Sequence, residues 1–234
     1  MVKKDTEKTA AAFKIPIFTL ENKTKLEDFF EKYKKQLTYV LGGILVIILL
    51  TFAYKNFVIK PQQLQAQDLM FMAEDLFGKD SFELALNGSA ESFYGFLDIL
   101  DEFKMTESGN LARYYTGICY YKLGVYEEAL VHLKKFKTNS LLLKPIALGT
   151  IGDCYSDLEE YTKALKYYYK AADATANEFT TPIYLMKAGG VLEHLEEYEK
   201  SIKVYERIKK EFKDSKEASN ADKYIGRASA KAAL

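Results

Sequence analysis

The residue types that most often carry out catalysis are scarce in this chain and form no recognisable constellation. The two histidines, His132 and His194, lie far apart, and neither has a serine or cysteine partner in a nucleophile motif. The sequence contains no phosphate-binding loop and no HExxH metal motif. The two cysteines, Cys119 and Cys154, lack the CxxC or Cys/His spacing of metal and redox sites. We therefore predict a protein that is not an enzyme and that uses no cofactor and no metal.

Composition predicts a folded chain whose main part is mildly acidic. Apolar residues make up 48% of the 234 residues and aromatic residues 14%, which is enough for a sizeable core. Residues 1–36 have nine lysines and six acidic residues, residues 37–60 add two lysines, and residues 61–234 therefore carry a net charge of −5. Because phosphate binding needs clustered lysine and arginine, this charge argues against nucleic acid as a partner.

One segment, from Leu37 to Tyr54, has the length and composition of a membrane span. It contains no charged residue, and as a helix it would cover about 27 Å, close to the thickness of the hydrocarbon core of a bilayer. The apolar residues that follow extend the predicted span to about residues 37–58. Aromatic side chains suit the two interfaces and predict anchors in the lipid bilayer at Tyr39, Tyr54 and Phe57. A buried core helix fits less well, because soluble helices are rarely so uniformly apolar. A cleaved signal peptide fits less well, because the apolar run is too long and begins far into the chain.

Lysines flank this segment unevenly. Five lysines lie between residues 23 and 35, whereas only Lys55 and Lys60 follow the segment before Lys79. Because cytoplasmic flanks are enriched in lysine and arginine, we expect the N-terminus in the cytoplasm. The C-terminal domain would then lie in the periplasm, with the span in the bacterial inner membrane.

The chain before the span divides into two parts. Residues 1–22 are polar and include Pro16, and they predict a flexible cytoplasmic tail. Residues 23–60 are predicted to form an amphipathic lead-in and the transmembrane helix, because a capping-box pattern from Thr24 to Glu27 precedes apolar residues at helical spacing: Leu26, Phe29, Phe30, Tyr33 and Leu37. This apolar stripe either contacts lipid or a membrane partner, or simply extends the span.

A short unit recurs three times in the C-terminal part. Each copy begins with a glycine, has a tyrosine nine residues later and ends with a small residue; the copies are Gly117–Ala129, Gly152–Ala164 and Gly189–Ser201. The shared tyrosines, Tyr126, Tyr161 and Tyr198, are separated by 35 and 37 residues. A period of this size indicates helical hairpins that stack into a solenoid.

These shared positions resemble those of the tetratricopeptide repeat (TPR) family. Besides the glycines and tyrosines, the copies agree at an aromatic position (Tyr120 and Tyr155, with Leu192 departing), at a small residue (Ala129, Ala164 and Ser201), at a bulky one (Leu133, Tyr168 and Tyr205) and at a further apolar one (Phe136, Ala171 and Ile208). The glycine and the small residue allow the two helices of a hairpin to approach closely, while the bulky residues fill the seam between neighbours. Six positions agree in phase, so a chance match in an unrelated helical bundle is the weaker alternative.

The resemblance implies a TPR-type solenoid at residues 61–234. Together with the single N-terminal transmembrane helix predicted above, it leads us to expect an all-α chain. We expect about four hairpins and a capping helix, at residues 62–104, 110–140, 145–176, 182–213 and 217–232. The first hairpin is degenerate, with helices expected at 64–77, 82–86 and 90–103. Cys119 and Cys154 hold equivalent places in adjacent hairpins, about 8 to 10 Å apart, so we expect two buried thiols rather than a disulfide.

TPR geometry implies a concave groove formed by the first helix of each hairpin. Its residues here are Leu111, Tyr114, Ile118, Tyr121, Lys122, Ile146, Gly149, Asp153, Ser156, Asp157, Ile183, Met186, Gly190, Glu193 and His194. This predicted groove changes from aromatic to acidic along its length, which suits an extended peptide or a partner helix. Lys122 is its one basic residue, so a clamp for a terminal carboxylate is not expected. Alternatively, some of the tyrosines simply pack between repeats.

The order of tail, single span and TPR domain resembles the YfgM family, ancillary subunits of the bacterial Sec translocon. The resemblance covers nearly the whole chain and rests on architecture. It implies as partners the SecY, SecE and SecG channel, a membrane-anchored PpiD-like periplasmic chaperone, and secreted polypeptides. The alternatives are a scaffold subunit of another envelope machine, for secretion, motility or outer-membrane assembly, and a sensor or cell-division adaptor.

Overall fold

A computed structural model describes residues 20–89 and 92–234, with side chains in the first helix described from residue 30 onward. Most of the predicted tail, and the side chains of Leu26 and Phe29, lie outside the described residues. Within them the chain is helical, and the only β-type pairing is a single bridge between Ser89 and Phe93. The chain divides into two compact units, one up to Asn56 and one from Phe57 to Leu234.

The first unit contains helix α1, Leu20–Tyr54. Thr24 lies inside α1, so the predicted capping box does not start this helix. Among the described residues, one helical stretch, Phe30–Gly78, has the length and composition to cross a membrane. Its most apolar 18-residue window has a mean hydropathy of 2.3, and none of that window is buried. The exposed apolar surface agrees with the predicted span.

The second unit begins with a degenerate hairpin. A π-helical turn, Lys55–Ile59, leads into α2, Lys60–Gly78, and two short helices follow, α3, Phe82–Asn87, and α4, Phe96–Glu102. Their apolar side chains form a common core that includes Met70, Leu86, Phe96, Ile99 and Phe103. These three helices lie in the range of the degenerate hairpin expected at residues 62–104.

Helix α4 is shorter than the predicted helix 90–103, whose first two residues lie outside the described range. Ser89 and Phe93 form the antiparallel bridge, and the backbone of Gly88, with a φ of 68°, passes very close to Gly95. A Cβ atom on Gly88 would lie 2.3 Å from the backbone nitrogen of Gly95. Helix α4 starts after Gly95, because the carboxylate of Asp98 accepts a hydrogen bond of 2.9 Å from the Gly95 N–H.

Three regular hairpins and a last helix follow. Their helices are α5, Glu107–Lys122; α6, Tyr126–Lys135; α7, Leu143–Asp157; α8, Tyr161–Asp173; α9, Thr180–His194; α10, Tyr198–Glu211; and α11, Lys216–Ala232. The hairpin turns are equivalent: Gly124, Glu159 and Glu196 each have a positive φ, at 78°, 59° and 60°. The fold is therefore of the predicted TPR type, with α11 packed on the last hairpin as a cap.

The glycine of each repeat lies beneath the bulky residue of the second helix. A Cβ atom on Gly117 would lie 2.6 Å from Leu133, one on Gly152 2.7 Å from Tyr168, and one on Gly189 2.3 Å from Tyr205. These separations are shorter than a van der Waals contact, so only glycine fits without a shift of the neighbour. The close approach predicted from the repeat pattern is confirmed in all three hairpins.

The two cysteines are free and buried, as predicted. Cys119 belongs to the core of the first hairpin, whereas Cys154 belongs to the larger core formed by the three regular hairpins. Burial raises the pKa of both thiols to about 12. Both side chains therefore act as small apolar core residues.

Candidate protein-binding groove

The first helices of the hairpins, α5, α7 and α9, carry the residues of the predicted groove. Helix α7 shows the arrangement: at about 100° per residue, Ile146, Asp153 and Asp157 fall on one face of the helix, while Leu148 falls on the opposite face. The glycine contacts described above fix how each of these helices is rotated against its partner.

On α5 most of the predicted groove residues are buried or partly buried by packing within the domain. Tyr114 and Ile118 are each 8% exposed, and the ring of Tyr114 lies 5.2 Å from that of Phe136. Burial, with a smaller contribution from a neighbouring tyrosine, raises the pKa of Tyr114 to about 12. Tyr121 and Leu111 are partly buried, and Lys122 is exposed. This end of the predicted groove therefore offers Lys122 and the edge of Tyr121 to a ligand.

On α7 the central residue is Asp153, whose carboxylate has partners on both neighbouring helices. Its Oδ1 accepts a hydrogen bond of 2.7 Å from the hydroxyl of Tyr168 on α8. Lys187 on α9 donates to both carboxylate oxygens, at 2.6 and 2.7 Å. Asp153 thus joins three helices, and much of its charge is compensated within the domain.

Tyrosines surround this carboxylate. Burial and the charge of Asp153 raise the pKa of Tyr168 and of Tyr184, and Tyr121 shows the same effect with Asp157 contributing as well. All three phenols therefore stay protonated and able to donate hydrogen bonds at neutral pH. The middle of the predicted groove is thus a set of phenols around a carboxylate.

The remaining groove residues of α7 differ in accessibility. Ile146 and Ser156 are partly buried, and Gly149 lies beneath the ring of Tyr184, where a Cβ atom would be 1.9 Å from Cε1. Asp157 is exposed. The burial of part of this residue, together with the charge of Asp153, raises the pKa of its carboxyl group. Asp157 is therefore the accessible acidic group on this helix.

On α9 the residues at the two ends of the groove face are exposed. Ile183 is 40% exposed and Gly190 is open, with nothing within 4 Å of a Cβ placed on it, while Met186 is partly buried. His194 is exposed, and its ring lies 4.2 Å from that of Tyr161. These residues supply apolar and polar contact area at the surface.

Glu193 is different, because its carboxylate links α9 to the cap. Only 6% of its side chain is exposed. Arg227 on α11 donates to both carboxylate oxygens, at 2.8 and 2.9 Å, and the hydroxyl of Tyr205 donates at 2.7 Å. Burial alone would raise the pKa of Glu193, but the hydrogen bonds from Arg227 and Tyr205 hold it below its ordinary value.

Sequence reasoning named Asp153 and Glu193 but missed their partners. Both ion pairs, Asp153 with Lys187 and Glu193 with Arg227, join residues 34 positions apart. That separation is the length of one TPR, so each pair connects equivalent helices of adjacent repeats. A search for acid and base residues one period apart could have found both pairs.

The predicted membrane anchors lie in and after α1. Tyr39 and Tyr54 on α1 are 79% and 51% exposed. Phe57, in the π-helical turn that follows, is 81% exposed. All three aromatic rings are therefore accessible for contact with lipid or with a membrane partner.

The accessible side chains of the predicted groove are of types that suit recognition of another polypeptide. Among the residues that the structure describes, no three His, Cys, Asp or Glu side chains come together in a way that could hold a metal ion. The accessible groups are an ammonium, a carboxylate, an imidazole and apolar side chains, at Lys122, Asp157, His194 and Ile183. Such groups suit contacts with another polypeptide.

Comparison with known proteins supports the same class of domain. Residues 111–140, which cover most of α5 and all of α6, match the family model described as Tetratricopeptide repeat. None of the curated proteins compared with the chain matches it. The match and the architecture together identify residues 111–140 as a tetratricopeptide repeat within a TPR-type helical solenoid, a kind of domain that mediates protein–protein interactions.

Proposed function

We propose that this chain is a membrane-anchored adaptor of the bacterial Sec translocon. Its N-terminus lies in the cytoplasm, one helix crosses the inner membrane, and the TPR domain works in the periplasm. There it links the SecY, SecE and SecG channel to a PpiD-like chaperone and assists secreted polypeptides as they emerge. The observation that carries this proposal is the presence, in one chain, of an apolar helix able to cross a membrane and a TPR-type interaction domain.

The first support for the proposal is the surface of α1. From Leu37 to Tyr54 this helix has no charged residue, and its large apolar side chains are exposed, for example Leu45 at 57% and Leu50 at 64%. Such a surface is stable in lipid or against another membrane helix, but not in water. The span can therefore both anchor the domain and contact channel helices.

The second support is the exposed part of the groove. Lys122, Asp157, Ile183 and His194 are accessible, while the residues between them are fixed by packing and by the two ion pairs. A rigid surface with a few accessible anchors reduces the entropy that is lost on binding. This arrangement suits a defined partner such as a chaperone domain better than a large, adaptable set of ligands.

The test is co-purification of the tagged full chain from membranes in mild detergent, followed by mass spectrometry. We expect SecY, SecE or SecG and a membrane-anchored periplasmic chaperone to co-elute. A double variant, Asp157→Lys with Ile183→Glu, should lose the chaperone and keep the channel, because the span is unchanged. Lys203→Glu, on an exposed position of α10, is the control and should keep both.

Two results would contradict the proposal. Recovery of the chain without any translocon subunit or periplasmic folding factor would remove the Sec assignment. Stable recovery of the components of another envelope machine would favour the scaffold alternative. In that case the same groove variants should release a fixed subunit of that machine.

A further inference from the structure

We infer that the domain has a second binding site, a basic cleft that takes an acidic polypeptide segment carrying an apolar side chain. The cleft has a volume of about 530 Å³ and lies between α6, the connection after it, α7 and α8. Four lysines line it: Lys134, Lys137, Lys144 and Lys170. All four are exposed. The inference is independent of the proposed function in the Sec system.

The charge of this cleft contrasts with that of the domain. Residues 61–234 carry a net charge of −5, yet no Asp or Glu is among the residues that line the cleft. In the part of the chain that the structure describes, none of its four lysines forms an ion pair, whereas Lys79, Lys163, Lys187, Lys200 and Lys209 all do. Four uncompensated ammonium groups around one cavity attract carboxylates.

Two of the lysines are held in place by aromatic rings. The Nζ of Lys134 donates a 2.6 Å hydrogen bond to the hydroxyl of Tyr155 and lies 4.9 Å from the centre of its ring. The Nζ of Lys170 lies 4.9 Å from the ring centre of Tyr167. These contacts orient the two ammonium groups without neutralising them. Lys137 and Lys144 have no comparable contact among the described residues and remain available to a ligand.

Apolar side chains form the floor of the cleft. Leu133 and Ile151 are buried beneath it, and Leu148, Tyr167 and Phe136 are partly exposed to it. A cavity of this volume is in the range that accommodates a ligand fragment, so a bulky side chain fits between the lysines. Apolar area below and positive charge around the rim favour an acidic segment with a hydrophobic residue over a small inorganic anion.

The cleft lies on the side of α7 opposite to the predicted groove. At about 100° per residue, Lys144, Leu148 and Ile151 fall on the helix face opposite to Ile146 and Asp153. A segment bound in the cleft therefore does not compete with a partner in the groove. The domain can hold two polypeptides at once, one on each face.

The experiment measures the fluorescence anisotropy of a labelled peptide, Glu-Glu-Leu-Phe-Glu-Glu flanked by glycines, with the full chain in phosphatidylcholine nanodiscs. We expect binding that weakens as salt is added, and at least about tenfold weaker binding of the peptide with Gln in place of Glu. Replacing Leu-Phe by Ser-Ser should also weaken binding, because the peptide then has no apolar side chain to pack against the floor of the cleft.

The variant for this test is Lys137→Glu combined with Lys144→Glu. Both residues are exposed, and a glutamate in the first turn of α7 favours that helix, so the fold should be retained. We expect a loss of affinity of about tenfold or more. The matched control, Lys203→Glu with Lys210→Glu, makes the same charge change on exposed positions of α10 and should bind as the wild type does.

Any of four results would overturn the inference. The first three are that the acidic peptide fails to bind, that the Gln peptide binds equally well, and that the control variant loses as much affinity as the cleft variant. Binding of phosphatidylglycerol vesicles that depends on Lys137 and Lys144, without binding of the acidic peptide, would assign the cleft to a lipid headgroup and would also overturn it.

Discussion

At the residue scale, the contact between a glycine on the first helix and a bulky side chain on the second determines how closely each hairpin packs. Gly189 and Tyr205 form the tightest of the three contacts, since a Cβ atom would lie 2.3 Å from Cε1 of the ring. Gly190, the next residue, has nothing within 4 Å of its Cβ position. Substituting each of these adjacent glycines by alanine therefore separates the effect of packing from the effect of helix propensity.

We predict that Gly189→Ala destabilises the domain and that Gly190→Ala does not. The first substitution forces Tyr205 away from its buried position and should cost about 1–3 kcal/mol of unfolding free energy. The second should be neutral or stabilising by about 0.5–1 kcal/mol, because alanine is the better helix former. Urea unfolding of the full chain in detergent, followed by circular dichroism, measures both. Equal effects of the two substitutions would refute this account of the hairpin.

At the element scale, one buried carboxylate links α11 to the stack, in addition to the apolar packing of α11 on the core. Glu193 accepts hydrogen bonds from Arg227 on α11 and from Tyr205 on α10, so it joins the last three helices. A second ion pair between α10 and α11, Lys209 with Asp222, is exposed on both sides. The buried link should therefore matter more than the exposed one.

We predict that Arg227→Ala lowers the unfolding free energy by about 1–3 kcal/mol, because it leaves the Glu193 carboxylate buried without its charged donor. Lys209→Ala, the control on the exposed pair, should cost less than about 1 kcal/mol. Thermal and urea unfolding of the full chain compare the two. If the control variant loses as much stability as Arg227→Ala, the cap is not held by Glu193.

The same link predicts a pH dependence. The pKa of Glu193 is lower in the folded state than its ordinary value of 4.5, so the unfolded state binds more protons as the pH falls below that value. The stabilisation that the Glu193 carboxylate contributes is present above pH 4.5, and it is lost as the pH falls through the pKa of Glu193 in the folded state. Glu193→Gln should show a shallower loss of stability in this acidic window than the wild type. Identical acid-unfolding slopes would contradict the role given to this carboxylate.

Sequence reasoning succeeded where one residue type has one physical reason to recur. The glycines at 117, 152 and 189 set the phase of the hairpins, and an uncharged run predicted the apolar helix. Sequence reasoning failed where contacts join elements that are distant in the chain. Gly95, which precedes α4, lies against the backbone of Gly88, and the cleft collects lysines from several elements. Neither arrangement follows from a local pattern.

At the scale of the whole molecule, the proposed orientation puts the TPR domain outside the cytoplasm. Both native cysteines are buried and their pKa values are raised to about 12, so background labelling by maleimides should be low. A cysteine introduced at Lys213, an exposed position after α10, should react with a membrane-impermeant maleimide in intact spheroplasts. Labelling that appears only after lysis would place the domain in the cytoplasm and reverse the assignment.

The most direct test of the central claim, that the predicted groove of the TPR-type domain binds a defined protein partner, is site-specific photocrosslinking in native membranes. A photoreactive residue at Ile183 lies at an exposed position of the predicted groove, and one at Lys203 on α10 provides the control. We predict a discrete crosslinked product at Ile183, containing a translocon subunit or a periplasmic chaperone, and no such product at Lys203. The absence of a discrete product at Ile183, or the same product at both positions, would contradict the claim.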